Sequence, residues 1–424
     1  MLLDLSPLKV SRDYRYLFFG QLVSFFGSMM TFIIVPWQMF QITQSNAMVG
    51  YISLAEFVPM AGLALIGGAI ADYLDRRMIL RVTEIGQMIL TLTLVINAGL
   101  EQPRVWVLFI VVALHAGFAA LQRPAFETYI QAIIPPEIMS SVMALNSIRF
   151  QIGMILGPAI GGIIAARFSA VDAYLIDLVT FAASLIAVFM VRHIPTAAHA
   201  EKPSISGIIR SVRYAWSRQE LLGTYFIDIA AMFFAFPQAL YPALAAIYGG
   251  ETVGLFPGAI AVGALTASLT SGWTKNIQRH GVYVIGSAVL WGVGILLFGW
   301  ANSLYPALFF LGAAGFFDMI SGIFRGAIWN QTIPNFMRGR LASIEMMSYL
   351  TGPMLGSGKM GLIAEYTSVR FALISGGIAC VIAVTLTAFF LPKFWTYDGR
   401  EGIKQREIEE AERAERFKLS EGAF

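Results

Sequence analysis

Four ionisable residues lie deep inside long apolar stretches of the sequence: Glu56, Arg149, Asp228 and Asp318. A charged side chain is costly in hydrocarbon, so such residues face the protein interior or a water-filled cavity, and they often bind substrates or relay protons. A carboxyl group in this setting can take up a proton on one side of a membrane and release it on the other. We therefore predict each of these four residues as a candidate for proton or substrate binding.

Arg149 also belongs to a run of residues spaced by four, formed by Arg149, Gly153, Gly157, Gly161 and Ala165. Residues at this spacing share one face of a helix. If that face packs against another helix, most simply one from the other half of the chain, Arg149 points into protein or a cavity and requires an anionic partner. One of the three buried acids could supply it, and a fixed structural ion pair is an equally open interpretation.

The composition indicates that most of the chain lies in lipid. Of its 424 residues, 57% are hydrophobic and 13% are charged, and the mean hydropathy is +0.69. Soluble domains carry roughly 25% charged residues. The net charge of +3 gives no support for nucleic-acid binding, and a lone cysteine, Cys380, excludes an intramolecular disulfide. The first residues lack a small-residue cleavage site, which predicts a retained cytoplasmic segment.

Twelve segments are long and apolar enough to cross a bilayer, which requires about 20 residues. We predict an all-α membrane protein whose spans run over Tyr16–Phe40, Met48–Asp72, Met78–Leu100, Val105–Ile130, Ile138–Ala166, Ala170–Val191, Leu221–Tyr248, Val253–Lys275, Val282–Ala301, Tyr305–Ile333, Leu341–Ala364 and Val369–Leu391. The predicted domains are an N-terminal segment (1–15), two six-helix bundles (16–191 and 221–391), a linker (192–220) and a charged tail (392–424).

The distribution of Lys and Arg predicts the orientation. With the N-terminus inside, the inner segments hold 21 of these residues and the outer loops hold three, Arg104, Arg167 and Arg370. Cytoplasmic loops carry such an excess, so both termini are predicted to be cytoplasmic. Within the linker, SISGIIRSVRYAWSRQ predicts either an interfacial helix with a basic face or an ordinary solvated helix. The tail alternates charges at i,i+4 spacing, which favours a solvated helix, with partner binding as the alternative.

The two halves of the chain repeat each other. Val49-Gly50 aligns with Val253-Gly254, Gly68 with Gly272 and Asp72 with Asn276, each at an offset of 204, and further on Arg123 aligns with Arg325 and Gly157-Pro158 with Gly352-Pro353. Parallel repeats of six spans are an architecture of secondary transporters, whose substrate site lies near the membrane midplane between the repeats.

The connection after the second span carries a charge cluster at the predicted cytoplasmic edge. Gly68 and Asp72, followed by Arg76-Arg77, resemble the loop motif of the major facilitator superfamily. The resemblance implies that these residues latch the inner side shut, although Tyr73 and Asp75 depart from the usual pattern. Stop charges that set topology are the alternative for Arg76 and Arg77.

The fifth span contains GMILGPAIGG, in which Gly153, Gly157, Pro158, Gly161 and Gly162 stand at fixed spacing. Interior glycine and proline oppose a helix in water, whereas neighbouring helices in a membrane can satisfy the freed backbone. The stretch resembles the motif of superfamily exporters, with Ala144 in place of an upstream glycine. Together with QRPAFE at 122–127, it resembles the branch that contains enterobactin exporters and macrolide efflux proteins, and this implies antiport of an outward-moving solute.

The roles of the other charged residues in the spans are predicted from their depth in the membrane. Arg123 and Glu127 share a face near the cytoplasmic end of span 4, and we predict a gate or latch role for them and for Arg325 in the repeat. Three acids near span ends, Asp177, Glu84 and Glu345, are expected to snorkel to water. The resemblance also implies that aromatic residues on spans 1 and 7 line the cavity, with candidates Phe25, Phe26, Trp37, Phe233, Phe234 and Phe236.

No catalytic constellation is present in the sequence. Gly356-Ser-Gly-Lys359 lacks the flanking residues of a phosphate loop, and four scattered histidines offer no metal cluster. We predict no enzyme activity, cofactor, metal, nucleotide or nucleic acid, and partners limited to a small-molecule substrate, coupling protons and membrane lipids. The predicted function is proton-driven export of a small amphipathic or aromatic solute, such as a siderophore or a drug. An importer, a lipid flippase and a non-transporting receptor are the alternatives.

Overall fold

A computed structural model describes residues 4–192, 212–334 and 337–421, with the backbone alone at 64–73, 136, 165–166, 338–340, 342–343 and 413–421. Twelve long helical segments, called spans 1 to 12, dominate this part of the chain. They are Arg12–Thr43, Asn46–Tyr73, Arg76–Ala98, Val105–Ile133, Met139–Arg167, Ala170–Met190, Gln219–Tyr248, Gly250–Asn276, His280–Trp300, Leu304–Thr332, Arg338–Tyr366 and Val369–Phe390.

Ten of these segments are long and apolar enough to cross a membrane by length and composition. The other two are spans 2 and 11, of 28 and 29 residues. Charged residues lower the hydropathy of span 11, which carries Glu345, Lys359 and Glu365. All twelve have the length that a bilayer requires. The predicted fold class is therefore confirmed, and the predicted boundaries lie within a few residues of the helix ends.

Local sequence signals explain where several spans begin. The Ser11 hydroxyl accepts a hydrogen bond from the Tyr14 amide at the start of span 1, and Asp75 caps span 3 in the same way at Arg77. Span 6 begins with a capping box in which Ser169 and Asp172 satisfy each other's backbone amides. These caps supply partners for amides that the first helical turn leaves unpaired.

Span 7 is broken, although its sequence predicts one continuous helix. The first helix ends at Ala235, a 3₁₀ turn covers Gln238–Leu240, and a second helix runs over Tyr241–Tyr248. Pro237 lacks an amide hydrogen and disfavours a helical conformation at Phe236, so the helix ends there. Lys359 of span 11 donates to the freed Phe234 carbonyl at 3.0 Å.

The helix contacts reproduce the sequence repeat. In the first half, span 1 packs on spans 5 and 6, span 2 on span 4, and span 3 on spans 4 and 6. The same pairs recur in the second half, where each span number is higher by six. Between the halves, span 2 packs on span 11 and span 5 on span 8. These two contacts are also equivalent to each other, because spans 2 and 8, and spans 5 and 11, are repeats.

The charged tail forms the predicted helix, Gly399–Glu421, but its first half is docked on the protein. Arg218 pairs with Glu409, which also accepts a hydrogen bond from the Tyr214 hydroxyl at 3.0 Å. Tyr397 contacts the Thr332 hydroxyl at 3.1 Å, and burial raises the pKa of Tyr397 to about 12. The tail therefore ties the end of the linker to span 10. Residues 193–211 of the linker, and with them the first half of the predicted linker helix at 204–219, lie outside the described residues.

Candidate functional site

A cavity of about 310 Å³ opens within the first half and reaches the second half at Met354. Spans 1, 2, 3, 4 and 6 contribute its other walls. Its lining mixes rings and methionines with neutral hydrogen-bonding groups, and the latter are Gln21, Ser24, Ser28, Thr31, Gln87, His115 and Gln122. Such a surface suits a solute with apolar or aromatic bodies and a few polar groups.

Glu56 lies at the boundary between this cavity and the second half. It lines the cavity, and it also lines a small enclosed pocket with Gln238 and Ser357 of spans 7 and 11. Ser53, one turn before Glu56, donates to the Ser357 hydroxyl at 3.0 Å. Glu56, the acid of the first half that is predicted as a proton or substrate candidate, therefore lies where the two halves meet.

Glycines allow the halves to touch at one face of the bundle. Gly50 of span 2 faces Gly358 and Gly361 of span 11, and Gly162 of span 5 faces Gly254 of span 8. All five lie toward the face opposite the chain termini. A side chain at Gly50, Gly162, Gly254 or Gly361 would meet backbone atoms of the facing helix within 3.0 Å, so the close approach at these four positions requires glycine. We call this set of contacts the glycine gate.

Asp228 and Arg325 form a buried ion pair in the second half. Their side chains are 3% and 5% exposed, and Ser348 donates to the second Asp228 oxygen at 3.0 Å. Asp318 lies 3.7 Å from the same guanidinium, which also sits over the Tyr349 ring. Three residues that the sequence treats separately are thus one cluster. Arg325, predicted as a gate residue, is the ion-pair partner of an acid predicted as a proton candidate, and its gate role stays a prediction.

Arg149 has no acidic partner among the described residues. Its guanidinium carbon lies 5.0 Å from the centre of the Phe126 ring, and its Nε and Nη1 atoms are buried without hydrogen bonds. The expected ion pair with Glu56, Asp228 or Asp318 is therefore absent, because Asp228 and Asp318 pair with Arg325 and Glu56 lines the cavity. Cation–π attraction to Phe126 stabilises the charge in part.

The predicted gate residues lie toward the face that holds the termini. Arg123 and Glu127 pair with each other at 3.3 Å and remain 67% and 59% exposed. Arg76 and Arg77 donate to the carbonyls of Thr128 and Phe189, which ties span 3 to spans 4 and 6 of the same half. Gly68 and Asp72 lie in the segment described by its backbone alone, so their latch role stays a prediction.

The exporter-like motif packs mainly within its own half. Side chains added at Gly153, Gly157 and Gly161 would meet Phe25, Met29 and Met30, all on span 1. Of the motif, Pro158 and Gly162 contact the other half, both at Gly254. The expectation that the whole glycine face meets the other half is therefore wrong, since the periodicity predicts a shared face but not which helix covers it.

Sequence reasoning missed two acids in the core of the first half. Glu84 and Asp177 are both 0% exposed, so they do not snorkel as expected. Glu84 Oε1 accepts hydrogen bonds from Gln21, Gln122 and Ser184, and Asp177 accepts one from Thr31 at 2.6 Å. Glu84 and Gln87 stand one turn apart on a face with Thr83 and Thr91, and this polar stripe on span 3 was the available signal.

Of the aromatic residues predicted to line the cavity, some lie at it and others surround Lys359. Phe25 lines the cavity and stacks on Phe150 with ring centres 5.4 Å apart. Phe233 and Phe234 instead surround Lys359, whose ammonium group lies 5.2 and 4.9 Å from their ring centres. The residues that resemble a phosphate loop are thus part of a helix whose lysine caps the break in span 7.

Comparison with known proteins agrees with this architecture. The chain matches the family described as "Transmembrane secretion effector" over residues 3–423. The enterobactin exporter EntS of Citrobacter koseri is 23% identical over 389 residues, which cover 91% of this chain and 93% of that protein. Solved structures with the same fold include the nucleoside transporter NupG, with a TM-score of 0.67 and 14% identity over 91% of this chain and 100% of that chain. The inward-open xylose transporter XylE from E. coli has a TM-score of 0.67 and 13% identity over 89% of this chain and 96% of that chain.

The chain therefore has the fold of the membrane transporters of the major facilitator superfamily. Within that superfamily, the chain belongs to the transmembrane secretion effector family.

Proposed function

We propose that this protein exports a small amphipathic or aromatic solute by alternating access, with a siderophore of the enterobactin type as the first candidate. The observation that carries the proposal is the cavity of about 310 Å³, whose lining combines rings with neutral amide and hydroxyl groups. The similarity to EntS, whose name describes an enterobactin exporter, supports the same substrate class.

The charge asymmetry supports a position in the cytoplasmic membrane with both termini in the cytoplasm. In that orientation the glycine gate lies on the outer side and the exposed Arg123 and Glu127 lie on the inner side. This corresponds to an inward-facing conformation, in which the solute enters from the cytoplasm. Export then requires the glycine gate to separate and the inner side to close, with Asp72, Arg76 and Arg77 as the proposed latch.

Proton antiport supplies the energy in this proposal, with Glu56 as the residue that links proton and solute. Glu56 lines the cavity and also contacts the pocket beneath the glycine gate. A proton taken up at Glu56 from the outside would remove its charge while the gate closes, and release inside would restore that charge. Asp228 and Asp318 share the positive charge of Arg325 and are second candidates.

The decisive experiment compares the medium of cells with and without the protein by metabolite profiling, followed by uptake into inverted membrane vesicles. We expect a secreted metal chelator to disappear from the medium when the protein is absent. The same compound should enter inverted vesicles only when a proton gradient is imposed, and Glu56→Gln should abolish or uncouple that uptake.

Glu101→Gln is the matched control, because Glu101 is exposed in a loop between spans. Normal uptake by the control variant, together with loss in Glu56→Gln, supports Glu56 as the coupling residue. Wild-type uptake by a properly inserted Glu56→Gln protein would remove Glu56 from the mechanism. Unchanged secretion of chelators in cells without the protein would contradict the siderophore assignment.

A further inference from the structure

Glu84 of span 3 occupies an unusual hydrogen-bonding environment in the first half. Its side chain is 0% exposed, and it is the ninth residue of its helix, roughly 12 Å along the axis from the N-terminal end at 1.5 Å per residue. Gln21, Gln122 and Ser184 donate to it at 2.6, 3.0 and 2.8 Å, from spans 1, 4 and 6. Four helices of the first half therefore meet at this carboxyl group.

All three donors use one oxygen, Oε1, whereas Oε2 is buried without a partner. An ionised carboxylate accepts at both oxygens, so this arrangement leaves half of its acceptor capacity unsatisfied. A neutral carboxylic acid has a carbonyl oxygen that accepts and a hydroxyl that donates. The observed distribution of donors fits a neutral acid with its carbonyl at Oε1 and its hydroxyl at Oε2.

Gln87 supplies the complementary feature. Its side chain is 3% exposed, and its Oε1 atom is also buried without a hydrogen bond. Gln87 follows Glu84 by three residues, so the two side chains are neighbours on one face of span 3. Both oxygen atoms are buried, and a buried acceptor without a donor is costly. A single proton on Glu84 Oε2 would satisfy both, because it would let Glu84 donate to Gln87.

The charges around Glu84 favour the same state. In the described part of the chain, no Lys, Arg or His forms an ion pair with Glu84. The titratable group on a packed helix that interacts with it is Asp177 of span 6, which is also a buried acid. The other titratable groups at the cavity are His115 of span 4 and Glu56 of span 2, which line its wall.

We propose that Glu84 is a proton-binding site of the first half, connected to the transport cavity through Gln21, Gln87 and Gln122. These three amides line the cavity. A proton from the cavity binds at Oε2 as Gln87 accepts its hydrogen bond, and release leaves a carboxylate held by the three donors at Oε1. The role of this proton in antiport rests on the proposed function, whereas its binding does not.

Infrared difference spectroscopy of the full-length protein in lipid nanodiscs, recorded during pH steps, tests the binding directly. The wild type should show a carboxyl C=O band that appears on acidification and is absent in Glu84→Gln. Glu84→Gln should fold, since its amide reproduces the neutral acid with Oε1 as acceptor and Nε2 as donor to Gln87. Glu101→Gln, at an exposed loop position, should keep the band.

For two further variants we expect the midpoint pH of the band to shift in opposite directions. Ser184→Ala removes a donor to Oε1 that stabilises the carboxylate more than the neutral acid, so the midpoint of the band should move to higher pH by roughly one unit. Gln87→Leu removes the acceptor of the protonated form, so the midpoint should move to lower pH. Opposite shifts of the two midpoints support the proposal. The proposal would be overturned if Glu84→Gln kept the band, or if both midpoints moved in the same direction.

The outcome is separable from that of the export assay. A Glu84 band in a protein that exports nothing overturns the proposed function and leaves the proton site intact. Export under a proton gradient by a protein without a Glu84 band overturns the proton site and leaves the proposed function intact.

Discussion

The two halves of this transporter share one helix arrangement but treat buried charge differently. In the second half, Asp228 is neutralised by Arg325, a fixed cation held in an almost fully buried pair. In the first half, Glu84 and Asp177 accept hydrogen bonds only from neutral amide and hydroxyl groups. A carboxylate with a permanent cation stays ionised, whereas one with neutral partners can exchange protons.

The repeat shows which residues cause this difference. Gly157 lies against Met29, and its equivalent Gly352 lies against Met232, so the residue equivalent to Asp228 is Phe25. Phe25 stacks on Phe150 and lines the cavity in place of an ion pair. Arg123, equivalent to Arg325, is exposed and pairs with Glu127 at the surface. The second half thus carries its buried charge as an ion pair, whereas the first half lines a cavity at the equivalent position.

The largest expected effect separates these two arginines. Arg325→Met leaves Asp228 buried without its cation, which typically destabilises a protein by about 3–5 kcal/mol. The equivalent Arg123→Met removes an exposed pair worth about 0–1 kcal/mol. Thermal unfolding of both variants in the same detergent checks the difference.

The double variant Asp228→Asn with Arg325→Met is the control, because it removes both charges and should recover much of the lost stability. If the double variant is as unstable as the sum of the singles, Asp228 and Arg325 do not interact energetically and the contrast between the halves fails.

The sequence predicts much of the helix arrangement, because the two aligned repeats each indicate the same helix contacts. Val49-Gly50 and Val253-Gly254 align by position, and both form glycine contacts between the halves. Gly157 and Gly352 align as well, and both pack on the first helix of their own half. Periodicity places a residue on a face, and the repeat adds that equivalent faces meet equivalent helices.

The site is harder to predict, because depth along a span does not reveal exposure. Glu84 lies near enough to a helix end to reach water, yet Gln21, Gln122 and Ser184 from three distant segments enclose it. Likewise, Asp228 and Arg325 are separated by 97 positions and meet only after folding. Such partnerships depend on tertiary packing, about which spacing in one chain carries no information.

A second prediction compares two glycines one turn apart on span 8, of which one contacts the other half and one borders an open groove. A side chain at Gly254 would meet the Pro158 backbone, whereas one at Gly258, one turn later, meets nothing within 4 Å. Overpacking costs about 1–3 kcal/mol, so Gly254→Leu should shift the population toward the gate-open state by roughly five- to 150-fold. Gly258→Leu should leave it unchanged.

The measurement is labelling of a cysteine placed at Gln238, which lines the pocket beneath the glycine gate, in a Cys380→Ser background. Faster labelling in Gly254→Leu alone supports the gate. Equal labelling rates in both leucine variants would show that the Gly254 contact does not hold the halves together.

A third, smaller effect concerns the break in span 7, which the continuous span 1 does not share. Lys359→Met removes a charged donor from the Phe234 carbonyl at the end of a helix, which should destabilise the protein by about 1–2 kcal/mol. Lys359→Arg retains the charge and should recover part of the loss. Equal melting temperatures of the wild type and Lys359→Met would exclude a capping role.

The smallest expected effect is at the hydrogen bond that joins the halves beside Glu56. Ser53 and Ser357 are 6% and 0% exposed, and their hydroxyls are 3.0 Å apart. Ser53→Ala leaves the Ser357 hydroxyl without this partner and should favour gate opening by about 0.5–1.5 kcal/mol, whereas the double alanine variant should be closer to the wild type. The labelling assay at position 238 measures both. If the single and double variants open equally, the glycine contacts alone close this face, and the polar bridge serves only to hold span 2, and with it Glu56, against span 11.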